Sequence, residues 1–240
     1  MFACTEEAIE PKEFFAPQLY AFNAKKRNKE LISLRSSGKF EGEVLISVSP
    51  RRLNVINANS SEELSRLMKR FAGIRRDADW VLWFDGRPLH TLDTAVLARN
   101  FMFLDKDSLM FLPENRFDQG ALYDKKRQSM MSRLAIHEEA VDCGLVEYLG
   151  RDVADLSLDQ RILVSIFQAV TSLPKVIIIN QSLDYLAEDA CSQAVALLKL
   201  AISKGSTVIL GCLSARPQLK PYAAIIHYRY TNGKITQALN

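Results

Sequence analysis

The residues that could support acid–base or metal chemistry are few and widely spaced in this sequence. Asp105 and Asp107 could form a paired-carboxylate site for general acid–base catalysis, but a charged loop is the favoured interpretation. The string His137-Glu138-Glu139 lies in a polar segment and indicates a solvated helical face rather than a catalytic group. His90 and His227 are isolated, so no ligand spacing supports a metal site. No arrangement of Ser, Cys and His indicates nucleophilic catalysis.

The cysteines indicate no catalytic or metal chemistry either. They show neither metal spacing nor the pattern of a disulfide framework; they are Cys4, Cys143, Cys191 and Cys212. Reduced, buried thiols are typical of a cytoplasmic protein. No stretch reaches the ~18 apolar residues of a membrane helix, and the acidic N-terminus lacks a signal-peptide pattern. We therefore expect a cytoplasmic chain without direct membrane insertion, held at the inner face of a membrane at most through a partner.

Composition and charge limit the classes of partner. The chain has 240 residues, of which 48% are hydrophobic and 25% charged, so it can bury the core of one large soluble domain. Its net charge is only +3, and its basic runs are scattered rather than gathered in one patch. Such a pattern predicts no nucleic-acid partner.

Apolar periodicity predicts alternating strands and helices. Short apolar runs predict strands at 43–48, 53–57, 80–84, 101–104, 176–179, 207–210 and 223–227. Apolar stripes at three- and four-residue spacing predict helices over 60–71, 157–173 and 190–202. This order implies an α/β fold with a mostly parallel sheet, a small antiparallel β lobe and a helical insertion near 114–150. Residues 1–38 are weakly patterned and are interpreted as an N-terminal extension or linker, which leaves 39–240 as one domain.

Several short strings follow one another in a distinctive order. They lie at 81–89 (VLWFDGRPL), 97–104 (LARNFMFL), 109–111 (LMF), 156–161 (LSLDQR), 174–179 (PKVIII), 205–210 (GSTVIL) and 232–235 (NGKI). In this order they resemble the nucleotide-binding domain of ATP-binding-cassette (ABC) transporters, and the second and third strings are similar to the Q-loop region of exporters. The resemblance runs over residues 43–234 and implies a P-loop-NTPase-like sheet.

The residues that bind phosphate in that family are replaced here. A P-loop needs glycines, whose backbone amides wrap the phosphates, and a lysine that reaches the terminal phosphates. The corresponding loop contains neither; it runs Asn57, Ala58, Asn59, Ser60, Ser61, Glu62 and Glu63. Glu63 or, in another alignment, Leu64 falls in the place of the lysine. A carboxylate ~4 Å from a phosphate charge would repel it by about 4 kcal/mol at an effective dielectric constant of about 20.

The resemblance also puts the metal, base and signature positions on residues that cannot perform those roles. Asn180 falls at the position of the magnesium shell and Gln181 at that of the general base, yet an amide can neither take up a proton nor neutralise a cation. The other replacements are Lys106 near the Q-loop glutamine, Leu158 and Asp159 at the signature glycines, Ala187 at the D-loop aspartate (with Asp184 nearby), and Leu213 at the switch histidine.

Both helices that face phosphate in the family begin here with residues that can bind their own free amides. Ser60 with Glu63 fits a capping box at the first helix, and Ser157 with Gln160 fits one at the second. Acidic residues that favour the helix dipole in these first turns are Glu62, Glu63 and Asp159. We expect the caps to stabilise an empty fold by ~1 kcal/mol each, although such strings also occur at ordinary helix starts.

These replacements predict a catalytically inactive ABC-ATPase-like domain, a pseudo-ATPase with no cofactor and with weak or absent binding of ATP and magnesium. Its role would be that of a binding, regulatory or assembly module in a transport or secretion system. The resemblance implies a protein partner: a transmembrane subunit, an active ABC subunit or a second copy of the chain. Two alternatives stay open. One is a divergent active ABC transporter ATPase subunit; the other is a small-molecule binder that reuses the cleft around Asn57, Lys106 and Asn180.

Overall fold

The structure is a computed structural model that describes residues 32–36, 44–74, 80–105, 133–148, 151–213, 219, 226–231 and 234–238. Its strands in chain order are β1 (Ile32–Ser36), β2 (Val44–Val48), β3 (Leu53–Ala58), β4 (Trp80–Phe84), β5 (Arg87–Pro88), β6 (Phe101–Asp105), β7 (Val176–Asn180), β8 (Thr207–Cys212), β9 (Ile226–Thr231) and β10 (Lys234–Ala238). Its α-helices are α1 (Ser61–Phe71), α2 (Thr94–Asn100), α3 (Arg133–Asp142), α4 (Leu158–Thr171) and α5 (Glu188–Ser203).

The strands form two sheets of different kinds. The larger sheet has the order β10-β9-β3-β8-β7-β6, and its neighbouring strands are parallel except for the antiparallel pair β9 and β10. The smaller sheet is antiparallel and has the order β2-β1-β4-β5. The predicted α/β fold, with a mostly parallel sheet and a small antiparallel lobe, is therefore confirmed.

Helices cover both faces of the larger sheet. Apolar residues at three- and four-residue spacing give α1 and α5 one buried side each. Helix α4 is buried on nearly all sides from Ile162 to Thr171. The buried residues of α4 and α5 belong to one core cluster, on one face of the sheet. Those of α1 belong to a second cluster, together with residues of the smaller sheet. Helix α1 therefore packs between the two sheets.

Strand alternation decides which side chains of the larger sheet face α1. Ile177 and Ile179 of β7 belong to the cluster of α4 and α5, whereas Val176 and Ile178 belong to the cluster of α1. Because successive side chains of a strand point to opposite faces, Asn180 lies on the α1 side. All residues of β7 and β8 are buried, as expected for central parallel strands covered by helices.

Strand β1 corrects one expectation from the sequence. Residues 32–36 were assigned to an N-terminal extension ending at residue 38, yet they form a strand between β2 and β4. Ile32 is fully buried there and packs in the cluster around α1. The strand has only five residues, and Ser33 and Arg35 interrupt its apolar pattern. Its membership of the sheet comes from its neighbours, which a single-sequence pattern does not reveal.

Other predicted segments lie only partly within the described residues. The turn at 50–52 leads from β2 in the smaller sheet to β3 in the larger one. Of the predicted helical segment 114–150, the structure describes α3 and a 3₁₀ turn at Val146–Tyr148. Thr231 pairs with Lys234 across the predicted turn, whose residues 232–233 lie outside the described ranges. No helix in the described part of the chain is long and apolar enough to cross a membrane.

Replacing Ile32 by alanine tests whether β1 belongs to the folded core. Because this side chain is fully buried, we expect Ile32→Ala to lower the free energy of unfolding by about 2–5 kcal/mol. Urea unfolding followed by circular dichroism measures the change. Val96→Ala removes a branched apolar side chain from an exposed site on α2 and should have little effect. Equal losses in the two variants would contradict the placement of β1.

Candidate functional site

The carboxyl ends of β6 and β7 meet the first half of α1 at one edge of the larger sheet. The register of the two strands puts Asp105 beside Asn180. Gln181 follows directly, and its backbone amide donates to the carbonyl oxygen of Gly211 at 2.9 Å. In open α/β sheets ligands bind outside the carboxyl ends of the strands. The polar residues at this edge are therefore the first candidates for a functional site.

Gln181 binds the start of α1 through both atoms of its side-chain amide. Ser61 Oγ donates to Gln181 Oε1 at 2.7 Å. Gln181 Nε2 donates to the carbonyl oxygen of Ser61 at 2.9 Å and to Ser65 Oγ at 3.0 Å. Gln181 is fully buried and has a left-handed backbone, with φ 59°. The side chain of Gln181 thus satisfies the hydroxyl and the carbonyl oxygen of Ser61 from within the chain.

Asn180 joins α1 to β6. Its Nδ2 donates to Ser65 Oγ at 3.0 Å and to Asp105 Oδ1 at 2.9 Å, and its Oδ1 accepts from Gln181 Nε2 at 3.4 Å. The other oxygen of Asp105, Oδ2, lies 3.4 Å from Lys69 Nζ. Asn180 and Asp105 are buried. The carboxylate of Asp105 is therefore a buried charge whose donor and counter-charge both come from the chain.

These side chains form one connected network, which we call the edge cluster. Its members are Ser61, Ser65, Lys69, Asp105, Asn180 and Gln181. The three members on α1 recur at four-residue spacing, so they lie along one face of the helix. One carboxylate and one ammonium group balance each other in charge. The edge cluster is therefore neutral and bonded to itself.

The edge cluster does not fit the magnesium ion that the family resemblance implies. Mg²⁺ takes an octahedron of oxygen ligands, usually carboxylates, phosphates and water. Asp105 is the one carboxylate of the cluster, and both of its oxygens already have partners. The amide nitrogens of Asn180 and Gln181 point their hydrogens at Ser65 Oγ, where they would repel a cation. In the described residues no group of three His, Cys, Asp or Glu side chains could hold a metal.

Asn57 lies near the carboxyl end of β3 and has an unsatisfied atom. Its Oδ1 is buried and has no hydrogen-bond partner in the described part of the chain. A buried polar atom without a partner costs about 1–3 kcal/mol. The members of the edge cluster, in contrast, bind one another.

The N-terminus of α1 is capped by half of the predicted capping box. Ser60 is the N-cap, and its Oγ accepts from the backbone amide of Glu63 at 3.3 Å. Within the described residues, the side chain of Glu63 makes no return bond to Ser60, which corrects that part of the prediction. The φ of Ser60 is −122°, compared with −62° at Ser157, so its N–H is turned differently. Glu62 pairs instead with Arg66 on the exposed surface.

The capping box predicted for α4 is complete. Ser157 Oγ accepts from the backbone amide of Gln160 at 3.3 Å, and Gln160 Oε1 accepts from the backbone amide of Ser157 at 2.9 Å. Asp159 Oδ2 accepts from the backbone amide of Ala187 at 3.3 Å, at the N-cap of α5. The residues that the resemblance puts at a signature glycine and at the D-loop aspartate are thus bonded to each other.

Leu213 stands directly after β8 and contributes its backbone rather than its side chain. Its amide donates to Asp184 Oδ2 at 2.9 Å, which ties this end of β8 to the 3₁₀ turn Ser182–Tyr185 that follows β7. The leucine side chain is 38% exposed and has no group that could contact phosphate as an imidazole does. The carboxylate of Asp184 therefore holds the backbone at the end of β8.

The remaining candidates for catalysis are not assembled into a site within the described ranges. His90 and His137 are exposed. The backbone of His227 lies in β9, and its side chain lies outside what the structure describes. Lys106 and Asp107 also fall outside the described residues, so the predicted contribution of Lys106 stays a prediction.

The cysteines in the described part of the chain form no disulfide bond with one another. Cys191 and Cys212 are buried, and Cys143 is half-buried. Burial raises the pKa of the Cys143 thiol above its ordinary value, the carboxylates of Glu139 and Asp142 raise it further, and Lys204 lowers it. A thiol with a raised pKa stays protonated at neutral pH and is a poor nucleophile.

The sequence predicts neither Ser65 as a member of the edge cluster nor the contact of Lys69 with Asp105. Asp105 was considered there only as half of an acid–base pair. The spacing of Ser61, Ser65 and Lys69 is the signal that could have identified them. Polar residues that recur every four positions lie in one row along the helix surface.

Comparison with solved structures identifies the fold. The chain is similar to a nucleotide-free ATP-binding cassette from an ABC transporter, with a TM-score of 0.63 at 17% identity, covering 87% of this chain and 91% of that one. It is similar to CbiO1 from Clostridium perfringens, part of the ABC transporter complex CbiONQ, with a TM-score of 0.70 at 15% identity over 88% of each chain. No family model matches the sequence.

A third similar structure is the ADP conformation of MJ1267, an ATP-binding cassette of an ABC transporter. Its TM-score is 0.65 at 16% identity, and the match covers 86% of this chain and 89% of that one. The fold is therefore the P-loop-NTPase-like fold of ABC cassettes, which confirms the resemblance of the short strings at the level of fold.

Removing the N-caps measures how far the caps stabilise this fold. We expect Ser60→Ala and Ser157→Ala each to lower the free energy of unfolding by about 1 kcal/mol. Glu63→Ala should cost less than Gln160→Ala, because only Gln160 makes a return bond. Urea unfolding provides the values, and Ser192→Ala, which removes an exposed hydroxyl bonded within its own helix, is the control. An unchanged free energy of unfolding in both N-cap variants would contradict the prediction that the caps stabilise the fold.

A double-mutant cycle tests whether the edge cluster is one network. Gln181→Ala removes the Nε2 donor from the carbonyl oxygen of Ser61 and from Ser65 Oγ, which keeps Asn180 Nδ2 as a donor, so we expect a loss of about 1–3 kcal/mol in the free energy of unfolding. With Ser65→Ala the effect should be non-additive, by about 0.5–3 kcal/mol. Ser172→Ala, at the far end of α4, should be additive with Gln181→Ala. Additivity in both pairs would show that the cluster is not coupled.

Proposed function

We propose that this chain is a catalytically inactive ABC-ATPase-like domain of the exporter-like type, which serves as a binding, regulatory or assembly module of a transport or secretion system. The observation that carries the proposal is the edge cluster. At the edge of the sheet where a ligand is expected, the polar side chains are bonded to one another. A nucleotide would have to break those bonds before it could form its own.

The start of α1 supports the absence of phosphate binding. A phosphate needs free backbone amides at a helix N-terminus and a positive electrostatic potential. The backbone amide of Glu63 is already bonded to Ser60 Oγ, and the first turn carries the carboxylates of Glu62 and Glu63. These charges would repel the phosphate that the loop 57–63 can no longer wrap.

The hydrogen-bond roles of the amide pair support the absence of hydrolysis. A general base has to accept a proton from the attacking water. Gln181 is fully buried, and its nitrogen donates to the carbonyl oxygen of Ser61. An amide is not protonated at neutral pH. The same side chain therefore provides a structural bond instead of a base.

A protein partner is the remaining part of the proposal. CbiO1, which has the same fold, is part of an ABC transporter complex. We propose a comparable partner here: a transmembrane subunit, an active ABC subunit or a second copy of this chain, with the protein on the cytoplasmic side of the membrane. Exposed apolar side chains suit contact with a protein; among them are Leu158, Tyr185 and Leu213.

Nucleotide titration tests the absence of binding. We expect no change in the melting temperature with Mg-ATP at millimolar concentration, and no phosphate release. A ligand present at 100 times its dissociation constant would stabilise the fold by about 2.7 kcal/mol, which a thermal shift detects. The variant Asn180→Asp with Gln181→Glu restores both carboxylates and should still release no phosphate, because the loop 57–63 lacks the glycines and the lysine.

The outcomes separate the three candidate functions. Gln160→Glu with Gln193→Glu places two new carboxylates outside the edge cluster and controls for the change of charge in the double variant. Phosphate release by the unsubstituted chain would overturn the proposal and favour a divergent transporter ATPase. A thermal shift without hydrolysis would favour a small-molecule binder.

A further inference from the structure

Three exposed apolar side chains lie at the start of α4, just before α5 and at the end of β8. The exposed fractions are 39%, 46% and 38% for Leu158, Tyr185 and Leu213. Two hydrogen bonds hold their segments together. Asp159 Oδ2 accepts from the backbone amide of Ala187, two residues after Tyr185, and Asp184 Oδ2 accepts from the backbone amide of Leu213. We call the surface formed by Leu158, Tyr185 and Leu213 the docking face.

Carboxylates surround the docking face. Segments 155–161 and 182–189 carry five of them, all exposed or half-exposed: Asp155, Asp159, Asp184, Glu188 and Asp189. Arg161 is the one basic residue of these segments, and its guanidinium donates to the backbone carbonyl oxygens of Leu156 and Ala154. The N-termini of α4 and α5 contribute about half a positive charge each, so the five carboxylates, Arg161 and the two helix starts leave a net charge of about −3.

This charge decides between the possible occupants of the docking face. A second copy docked through the same face would bring the same carboxylates against it, because a two-fold contact pairs identical surfaces. Like charges brought together disfavour such a contact. A partner with lysine or arginine side chains around an apolar one matches both the rim and the centre. Tyrosine is also among the residues on which binding energy concentrates at the centre of an interface.

We infer that the docking face binds a basic segment of a different protein, whose apolar side chain packs on Leu158, Tyr185 and Leu213 while its lysine or arginine side chains meet the surrounding carboxylates. The inference deepens the proposed function, on which it rests for the existence of a protein partner, and it names the chemistry of that partner.

Binding of a fluorescent amphipathic peptide of lysine and leucine to the full chain, measured by anisotropy, tests the inference. The peptide should bind, and added salt should weaken the binding because it screens exposed charges. A peptide with glutamate in place of lysine should not bind. A peptide with serine in place of leucine should bind more weakly than the original.

Two variants of the chain locate the binding. Tyr185→Ala should weaken it by about fivefold or more, as expected for a central interface residue. Glu188→Gln with Asp189→Asn should weaken it by about two- to thirtyfold, the range for the loss of two exposed ion pairs. Asp159 and Asp184 stay unchanged because they hold backbone amides. If Tyr185→Ala does not fold, Leu213→Ser serves for the same titration.

The matched control is Glu138→Gln with Asp142→Asn, which removes two exposed carboxylates from α3. Glu139 of α3 pairs with Lys204 at the far end of α5, a helix about 24 Å long. This variant should keep the peptide affinity of the unsubstituted chain. Equal losses in the two charge variants, tight binding of the glutamate peptide or no binding of the lysine peptide overturns the inference.

Sedimentation of the chain alone separates the remaining occupant. Dimers that Tyr185→Ala dissociates would show that a second copy covers the docking face, which overturns the inference and leaves the proposed function standing. Binding of Mg-ATP with phosphate release overturns the proposed function whatever the peptides do.

Discussion

The pairing of Asp105 with Asn180 across two parallel strands is the interaction on which the carboxyl edge of this sheet depends. A carboxylate buried at that position needs a donor and a counter-charge. Asn180 Nδ2 provides the donor and Lys69 provides the charge. Because Ser65 also binds Asn180, α1 has to lie where two of its successive turns reach the strand ends. These contacts fix the position of the start of α1. Gln181 can therefore bond to Ser61 and Ser65.

The elements of this fold could be predicted wherever the apolar pattern is long or continuous. Strand β7 is an uninterrupted apolar run between two helices with clear stripes, so its burial on both faces followed from composition. Strand β1 is the opposite case. Its five residues include Ser33 and Arg35, both of which are buried in the structure. Burial of such residues depends on neighbouring strands and on long-range packing, and neither is encoded in the local period of the sequence.

The candidate site could be predicted in its residue types but not in its connections. That Asn180 and Gln181 follow a central strand was evident from the sequence. Which side chains they would bind was not, because it depends on the register between β6 and β7, two strands separated by a long stretch of chain. One register step would turn Asp105 to the other face of the sheet. The N-caps are a local example. Ser60 and Ser157 stand in similar strings, but their backbone φ angles differ, and the sequence does not predict that difference.

The amide side chains of Asn180 and Gln181 provide hydrogen bonds at this edge that apolar side chains could not provide. The carbonyl oxygen of Ser61 and the hydroxyls of α1 stay at the buried end of the sheet whether or not a ligand binds there, and they require partners. A carboxylate at the position of Gln181 would accept bonds but could donate none to these oxygens, and its charge would itself need a cation. Gln181 both accepts from Ser61 Oγ and donates to the Ser61 carbonyl oxygen. The two ends of this one amide thus satisfy both a donor and an acceptor of Ser61 at the start of α1.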